Sequence, residues 1–420
     1  LEGARLSGKA TGLISTSRIT HATPAAYACH IEDRGCDNEI MEHMVYQNVD
    51  VVFGGGKRHL LPEAVGGKRT DGDNLYDVLL DRGYQWVETT ADMNNLTGGK
   101  AWGLFDASHM APDIDRVPEV QPSISEMTAK AIELLSQDED GFFLMVEGSQ
   151  VDWAGHANDV IYMVTDFLAF DKAVAEAVSF AEDDGETMVL VFPDHNTGAL
   201  SIGSETAYTG YTDTSVEDLL EPLVTMEYTS GVVADEIEEM ADPNPIHWKD
   251  VQDGISAVWG LDVSKQDAKQ ILRLVDDGMY LSDALSEVVS RYYTVFGWTT
   301  HGHTGEDVPL WSYVPEGAER PVGLFDNTEL ATVTADALGI DLALVQADLF
   351  VEVEPDSATS VNPDDNPQIE LGDCTLNVGT DEATGVVLPG VVVQAPSGCD
   401  EPVESPKYYV PQEAVDVCSK

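Results

Sequence analysis

Asp152 and His156 stand four residues apart in GFFLMVEGSQVDWAGHAND (residues 141–159), with Glu147 upstream and Trp153 beside the aspartate. On a helical turn, residues i and i+4 project from one face, so a carboxylate and an imidazole would be presented together. Taken alone, the segment reads equally well as a capped helix start with a solvated histidine. Four more pieces bear on it. Asp194-His195 lies in VFPDHNTG, His303 in HGHTGED, Thr23 in ITHATPAA, and Arg34 further along from Thr23. Zinc in open catalytic sites takes histidine with aspartate or glutamate. Magnesium takes oxygen ligands such as glutamate and threonine, with water. Two close metals suit in-line displacement at phosphorus, and a guanidinium gripping two non-bridging oxygens completes that chemistry.

Apolar runs that read as strands position these residues. Gly141–Val146 is a short apolar run bounded by turn residues, hence a buried strand, and Glu147 follows it. Thr187–Phe192 ends just before Asp194, a strand at Gly12–Ser15 precedes Thr23, and one at Thr294–Trp298 precedes His303. In open α/β sheets, ligands collect beyond the carboxyl ends of strands. Four such ends carrying Asp, His, Glu and Thr point to one site.

Helical stretches alternate with these strands at Glu39–Tyr46, Asn74–Asp81, Ser123–Ser136 and Asp159–Ala181, and Val49–Phe53 is a further buried strand. The alternation predicts an α/β fold: a doubly wound, largely parallel central sheet with helices on both faces. From Gly198 to Tyr293 acidic helices dominate (Val216–Leu223, Val233–Met240, Lys265–Val275, Leu281–Arg291), which predicts a helical insertion over the sheet edge. Val308–Val314 returns to strand and Thr328–Leu338 is a closing helix. Residues 1–351 are thus expected to form one α/β domain. Residues 352–420, rich in Pro and Asp with β-like pieces such as Val386–Val393, are expected to form a β-rich C-terminal tail. Gly54-Gly55-Gly56-Lys57 lacks the GxxxxGK[ST] spacing of a phosphate loop and reads as a tight turn.

The chain carries 76 Asp+Glu against 21 Lys+Arg, a formal net charge of −55. That excludes nucleic acid as a partner, because phosphate backbones need a basic footprint. An acidic excess spread through folded segments, relieved by salt, reads as a halophile-type surface, with an ordinary acidic secreted protein as the alternative. No run of 18 apolar residues is present, so no membrane span is expected. The five cysteines form no CxxC motif; local disulfides with one thiol left over fit a periplasmic or secreted protein, and their pairing stays open. Leu1–Lys9 reads as the tail of a helix already under way, so an upstream segment is expected.

The segments TSRITHATPAAYACHIEDRG, FFLMVEGSQVDWAGHAND, VFPDHNTGALS and HTGEDVP resemble those of the alkaline phosphatases, in the same order, over most of residues 8–340. The resemblance implies hydrolysis of small phosphate monoesters through a phosphoserine, inorganic phosphate as a ligand, two zinc ions with one magnesium ion, and a homodimer. It puts Asp152, His156 and His303 on the first zinc, Asp194 and His195 on the second, Thr23 and Glu147 on magnesium, and Arg34 on the substrate phosphate. His21 and Trp153 would tune the metals and the phosphate waters without ligating them, a pairing like that of some marine and halophilic bacterial members. His109 and His301 are left as surface or structural histidines.

The family's nucleophilic serine sits at a helix N-terminus in a DSA-type motif upstream of the HAT segment, and an earlier aspartate ends the first strand. Neither segment is in this sequence. Asp356-Ser357-Ala358 matches DSA, but VNPDDNP follows it, a helix breaker, so Ser357 is expected to be a turn serine. Two alternatives to an active phosphatase therefore stand: a catalytically incomplete chain that binds metal or phosphate, and a sulfatase or phosphodiesterase on a similar fold.

Overall fold

Short runs of valine, alanine, leucine and phenylalanine build a single parallel sheet in the computed structural model of this chain. The structure describes all residues except 32, 204–214, 355, 359–367, 378–381, 384–385, 388–391, 395–406 and 419–420. Strands β1 (Ala10–Arg18), β2 (Val51–Gly55), β3 (Gln85–Val87), β4 (Ala101–Leu104) and β5 (Phe142–Glu147) lie in the order β3-β4-β2-β1-β5, every pair parallel. Around them run α1 (Glu2–Leu6), α2 (Ala22–Ala28), α3 (Asp37–Tyr46), α4 (Leu75–Asp81), α5 (Thr90–Asn94), α6 (Ile124–Leu135), α7 (Gln150–Ala157) and α8 (Val160–Asp184).

Successive strand residues point to opposite faces, so neighbours feed two cores. Leu13 and Val52 pack with Ile40 and Met44 of α3, whereas Ile14 and Phe53 pack with Met127 of α6 and Ala169 of α8. The predicted α/β sheet with helices on both faces is therefore present. Strands β3 and β4 were not expected, although β4 carries Trp102, wholly enclosed in the core. The glycine run after Phe53 is a packing device: a Cβ on Gly55 would lie 2.1 Å from the Ser108 carbonyl oxygen, and one on Gly54 2.8 Å from that of Ser15. Only glycine lets these backbones approach.

The strand expected at Thr187–Phe192 is β6 (Val189–Val191). It does not extend the parallel sheet but pairs antiparallel with Trp311–Tyr313. Among the described residues β5 pairs only with β1, and its Phe142, Phe143 and Leu144 are half-buried.

The insertion comprises α9 (Val216–Val224), α10 (Ser230–Ala241), α11 (Trp248–Trp259), α12 (Lys265–Asp276) and α13 (Leu281–Tyr293), of which α11 was not predicted. It has its own core, including Val233, Ile237, Val251, Ile255 and Leu285, joined by Ile161 of α8. Carboxylates tie it to the sheet domain: Asp159, which caps α8, accepts from the Ser230 amide at 2.8 Å, and Asp115 accepts from the Thr229 amide at 3.0 Å. Capping of this kind satisfies amides that a helix leaves orphaned.

Past a helix at Leu342–Leu349, the described C-terminal residues form antiparallel strands, closed by a Cys374–Cys418 disulfide. Cys36 is also disulfide-bonded and Cys29 is free. Ser357 lies on a strand paired with Glu370, which corrects its reading as a turn serine; the VNPDDNP stretch falls outside the described residues. Among the described residues, no single helix is long and apolar enough to cross a membrane.

Candidate metal centre

Helix α7 starts three residues after the end of β5, so the sheet delivers Glu147 and the helix delivers Asp152 and His156 to one end of the molecule. His156 Nε2 lies 3.6 Å from Asp152 Oδ2, and His303 Nε2 lies 3.8 Å from Asp152 Oδ1. One ligand atom from each of the three falls within 4.8 Å of the others. His303 arrives on a two-residue strand that pairs with Asn196–Thr197, in the register His303 opposite Thr197. That pairing stacks the His195 ring on His303 at 3.6 Å, and His195 Nε2 is 3.2 Å from Asp194 Oδ2. Thr197 Oγ1 donates to Asp152 Oδ1 at 2.6 Å.

The donor set fits a metal ion. His156 Nδ1 is 2.5 Å from the His301 carbonyl oxygen, which can only accept, so Nδ1 carries the proton and Nε2 keeps its lone pair toward Asp152. A carbonyl behind a ligating imidazole is the usual way its tautomer is fixed. Two imidazoles and one carboxylate with open space around them match a catalytic zinc site.

Glu147 lies at the end of β5. Its Oε2 accepts from Ser15 Oγ at 2.9 Å and Ser149 Oγ at 2.6 Å, and its carboxylate also bonds to Thr23. Burial raises its pKa, with the three hydroxyls opposing. A carboxylate charge held out of water calls for a cation beside it. The sequence reading missed Ser15, brought to Glu147 by the parallel pairing of β1 with β5, and Ser149, two residues beyond Glu147.

Arg34 is exposed, and its guanidinium Nη2 lies 3.3 Å from His21 Nε2. The His21 ring meets Trp153 edge-on at 5.5 Å, and His109 meets the same indole at 4.4 Å. Arg18 gathers this group: its backbone N–H donates to His109 Nδ1 at 3.1 Å and its Nε to Asp37 Oδ1 at 2.7 Å, at the start of α3 just beyond Arg34. Burial, then Arg18 and Arg34, hold His21 down to about 4; burial, then Arg18 and His21, hold His109 at about 4. Both rings are therefore neutral at alkaline pH; of the two guanidiniums, Arg18 is paired with Asp37 and Arg34 is exposed. Of the two histidines expected to be surface or structural, His301 contacts His156 of the cluster and His109 contacts Trp153 and Arg18.

Residues 1–340 match the alkaline phosphatase family. Alkaline phosphatase 3 of Bacillus subtilis is 35% identical over 352 residues, covering 82% of this chain and 71% of that protein. The crystal structure of a cold-active alkaline phosphatase from Shewanella sp. is similar at 30% identity and a TM-score of 0.65, covering 80% of this chain and 77% of that one. The Thermus thermophilus alkaline phosphatase structure gives 26% identity and a TM-score of 0.71, covering 81% and 73% respectively.

Proposed function

Because the chain belongs to the alkaline phosphatase family, whose members are metal-dependent phosphoric monoester hydrolases, we propose that its metal centre is a two-zinc, one-magnesium site acting on small phosphate monoesters. Asp152, His156 and His303 hold one zinc ion, Asp194 and His195 the second, and Thr23 and Glu147 the magnesium. When bound, the metal ions supply Lewis acidity toward the entering and leaving oxygens. The carrying observation is the Asp152–His156–His303 cluster, with its ligand atoms within 4.8 Å and the far nitrogen of His156 tied off.

The remaining work falls to the chain's own side chains. Arg34 binds two phosphoryl oxygens through its planar fork, and neutral His21 accepts from it and so limits its swing. The Trp153 and His109 rings wall this side of the phosphate. Hydroxyls of Ser15, Ser149 and Thr23 fix the Glu147 carboxylate. The phosphoserine route needs a serine, which this sequence does not offer in its expected motif. We also propose a periplasmic or secreted location, a halophile-type surface and a homodimer, the first supported by the Cys374–Cys418 disulfide.

The test is hydrolysis of a chromogenic phosphate monoester at high salt with zinc and magnesium, with and without a chelator. Chelator-sensitive turnover supports the enzyme reading. Zinc and phosphate binding without turnover favours the incomplete chain, a reading motivated by the missing serine motif; faster cleavage of a sulfate ester or phosphodiester overturns the substrate class. Arg34→Ala is expected to raise the inhibition constant of inorganic phosphate by about 10- to 100-fold, the loss of hydrogen bonds to a charged group, with zinc content unchanged. Unaltered phosphate inhibition removes Arg34 from the clamp role.

A further inference from the structure

We infer that His301 is a positioning residue through which the helical insertion sets the metal affinity of the Asp152–His156–His303 cluster. The inference rests on the zinc reading of that cluster. His156 and His301 are 145 residues apart, yet each ring donates to the other's carbonyl: His156 Nδ1 to the His301 oxygen at 2.5 Å, and His301 Nδ1 to the His156 oxygen at 2.7 Å. This pair of hydrogen bonds clasps the last turn of α7 to the loop that carries His303 two residues later. It therefore sets the spacing between two ligands on different segments, whose rings lie 5.1 Å apart.

The other side of the His301 ring faces the insertion. Its Nε2 lies 3.4 Å from Glu287 Oε2, on α13; with Nδ1 already donating, this contact is an ion pair only when the ring carries both protons. A second lacing runs alongside. Asn158, in the left-handed region (φ 54°) at the end of α7, donates Nδ2 to the Gly155 carbonyl at 2.7 Å and to that of Thr300 at 2.9 Å. Its own carbonyl accepts from Ser290 Oγ, again on α13, at 2.9 Å. The three ligands themselves are half-exposed and packing does little to immobilise them, so the clasp and its brace on α13 take over that task.

Replacing His301 leaves its backbone carbonyl in place but removes the return bond to His156 and the link to Glu287, so the loop can move away and the carbonyl no longer holds the His156 tautomer. Loss of outer partners of metal ligands costs about 10- to 100-fold in affinity. His301→Ala is therefore expected to weaken zinc binding, measured by competition with a coloured chelator, by about tenfold or more. Glu287→Ala is expected to weaken it less. His301→Asn, which keeps an N–H toward the His156 carbonyl, is expected to recover part of the loss. The metal-free melting temperature is read alongside, and a purely structural His301 would lower it while leaving zinc affinity alone. Wild-type zinc affinity in both His301→Ala and Glu287→Ala overturns the inference while the zinc site stands. A wild-type chain that takes up no zinc overturns the site reading and this inference together. Should His301→Ala not fold, Glu287→Ala, at a half-exposed helix position, decides it.

Discussion

Asp152→Ala is expected to empty the centre of zinc, with affinity falling by more than the roughly 100-fold seen when only an outer partner is lost. The reason lies in how one carboxylate spans two histidines: Oδ2 faces His156 at 3.6 Å and Oδ1 faces His303 at 3.8 Å. Without it, two neutral imidazoles from separate segments are left to hold a divalent ion with no anion between them. Hydrolysis should fall in step with zinc content, measured as metal per chain after dialysis. The fold itself should hardly respond, because a half-exposed side chain away from any core cluster changes stability by only about 0.5 kcal/mol. A variant that keeps its zinc would remove Asp152 from the ligand set.

A loss of about 3–5 kcal/mol of stability is expected for Arg69→Ala, the range for breaking a buried ion pair from one side. The Arg69 side chain is fully enclosed. Its Nη1 donates to the Asn38 carbonyl at 2.9 Å, and its Nη2 reaches Glu42 Oε2 at 3.1 Å and the carboxylate of Asp71. Burial already lifts Glu42 from its ordinary 4.5 to about 7, with Arg69 pulling the other way. A carboxyl raised in the folded state binds more protons folded than unfolded, so its contribution to stability is greatest below about pH 4.5 and falls as pH climbs through 7. Deleting the guanidinium pushes the group up further. The variant's deficit should therefore be smaller in acid than at alkaline pH, the lost contacts to Asp71 and Asn38 being common to both, as denaturant titrations at pH 5 and pH 9 would reveal. An equal deficit at both would assign the loss to packing instead. Since Glu42 lies on α3, whose first residue Asp37 is held by Arg18, phosphate affinity should decline in the same variant.

What could be read from the sequence was what repeats locally. Asp152 and His156 shared a helical face by spacing alone, and the apolar runs ending at Glu147 and before Asp194 marked two of the strand ends. Strands of three and four residues, such as β3 and β4, hold too few positions for a period of two to emerge, although Trp102 in one of them is central to the core. The orientation of β6 was not legible either, because its partner Trp311–Tyr313 lies far away along the chain. The same distance hid the outer partners of the centre. His301 meets His156, and Ser15 meets Glu147, only after the chain has folded, so neither leaves a mark in its neighbours. Ser357 misled for the opposite reason: the breaker that follows it said where a helix could not start, and nothing about the strand pairing it adopts.

Among the described residues the outer edge of β5 has no partner strand. A row of peptide groups flanked by half-buried phenylalanines is a template on which a second chain can pair, and folded proteins guard such edges. Here the guard is collective: at −55 charges, two copies approaching one another repel long before their backbones meet. That guard reaches only as far as ions allow, about 10 Å in 0.1 M salt and about 3 Å in 1 M. Salt that relieves repulsion within one molecule also lets two molecules draw near, so stability and colloidal solubility are expected to respond to salt in opposite directions, and this strand edge is where they would come into conflict.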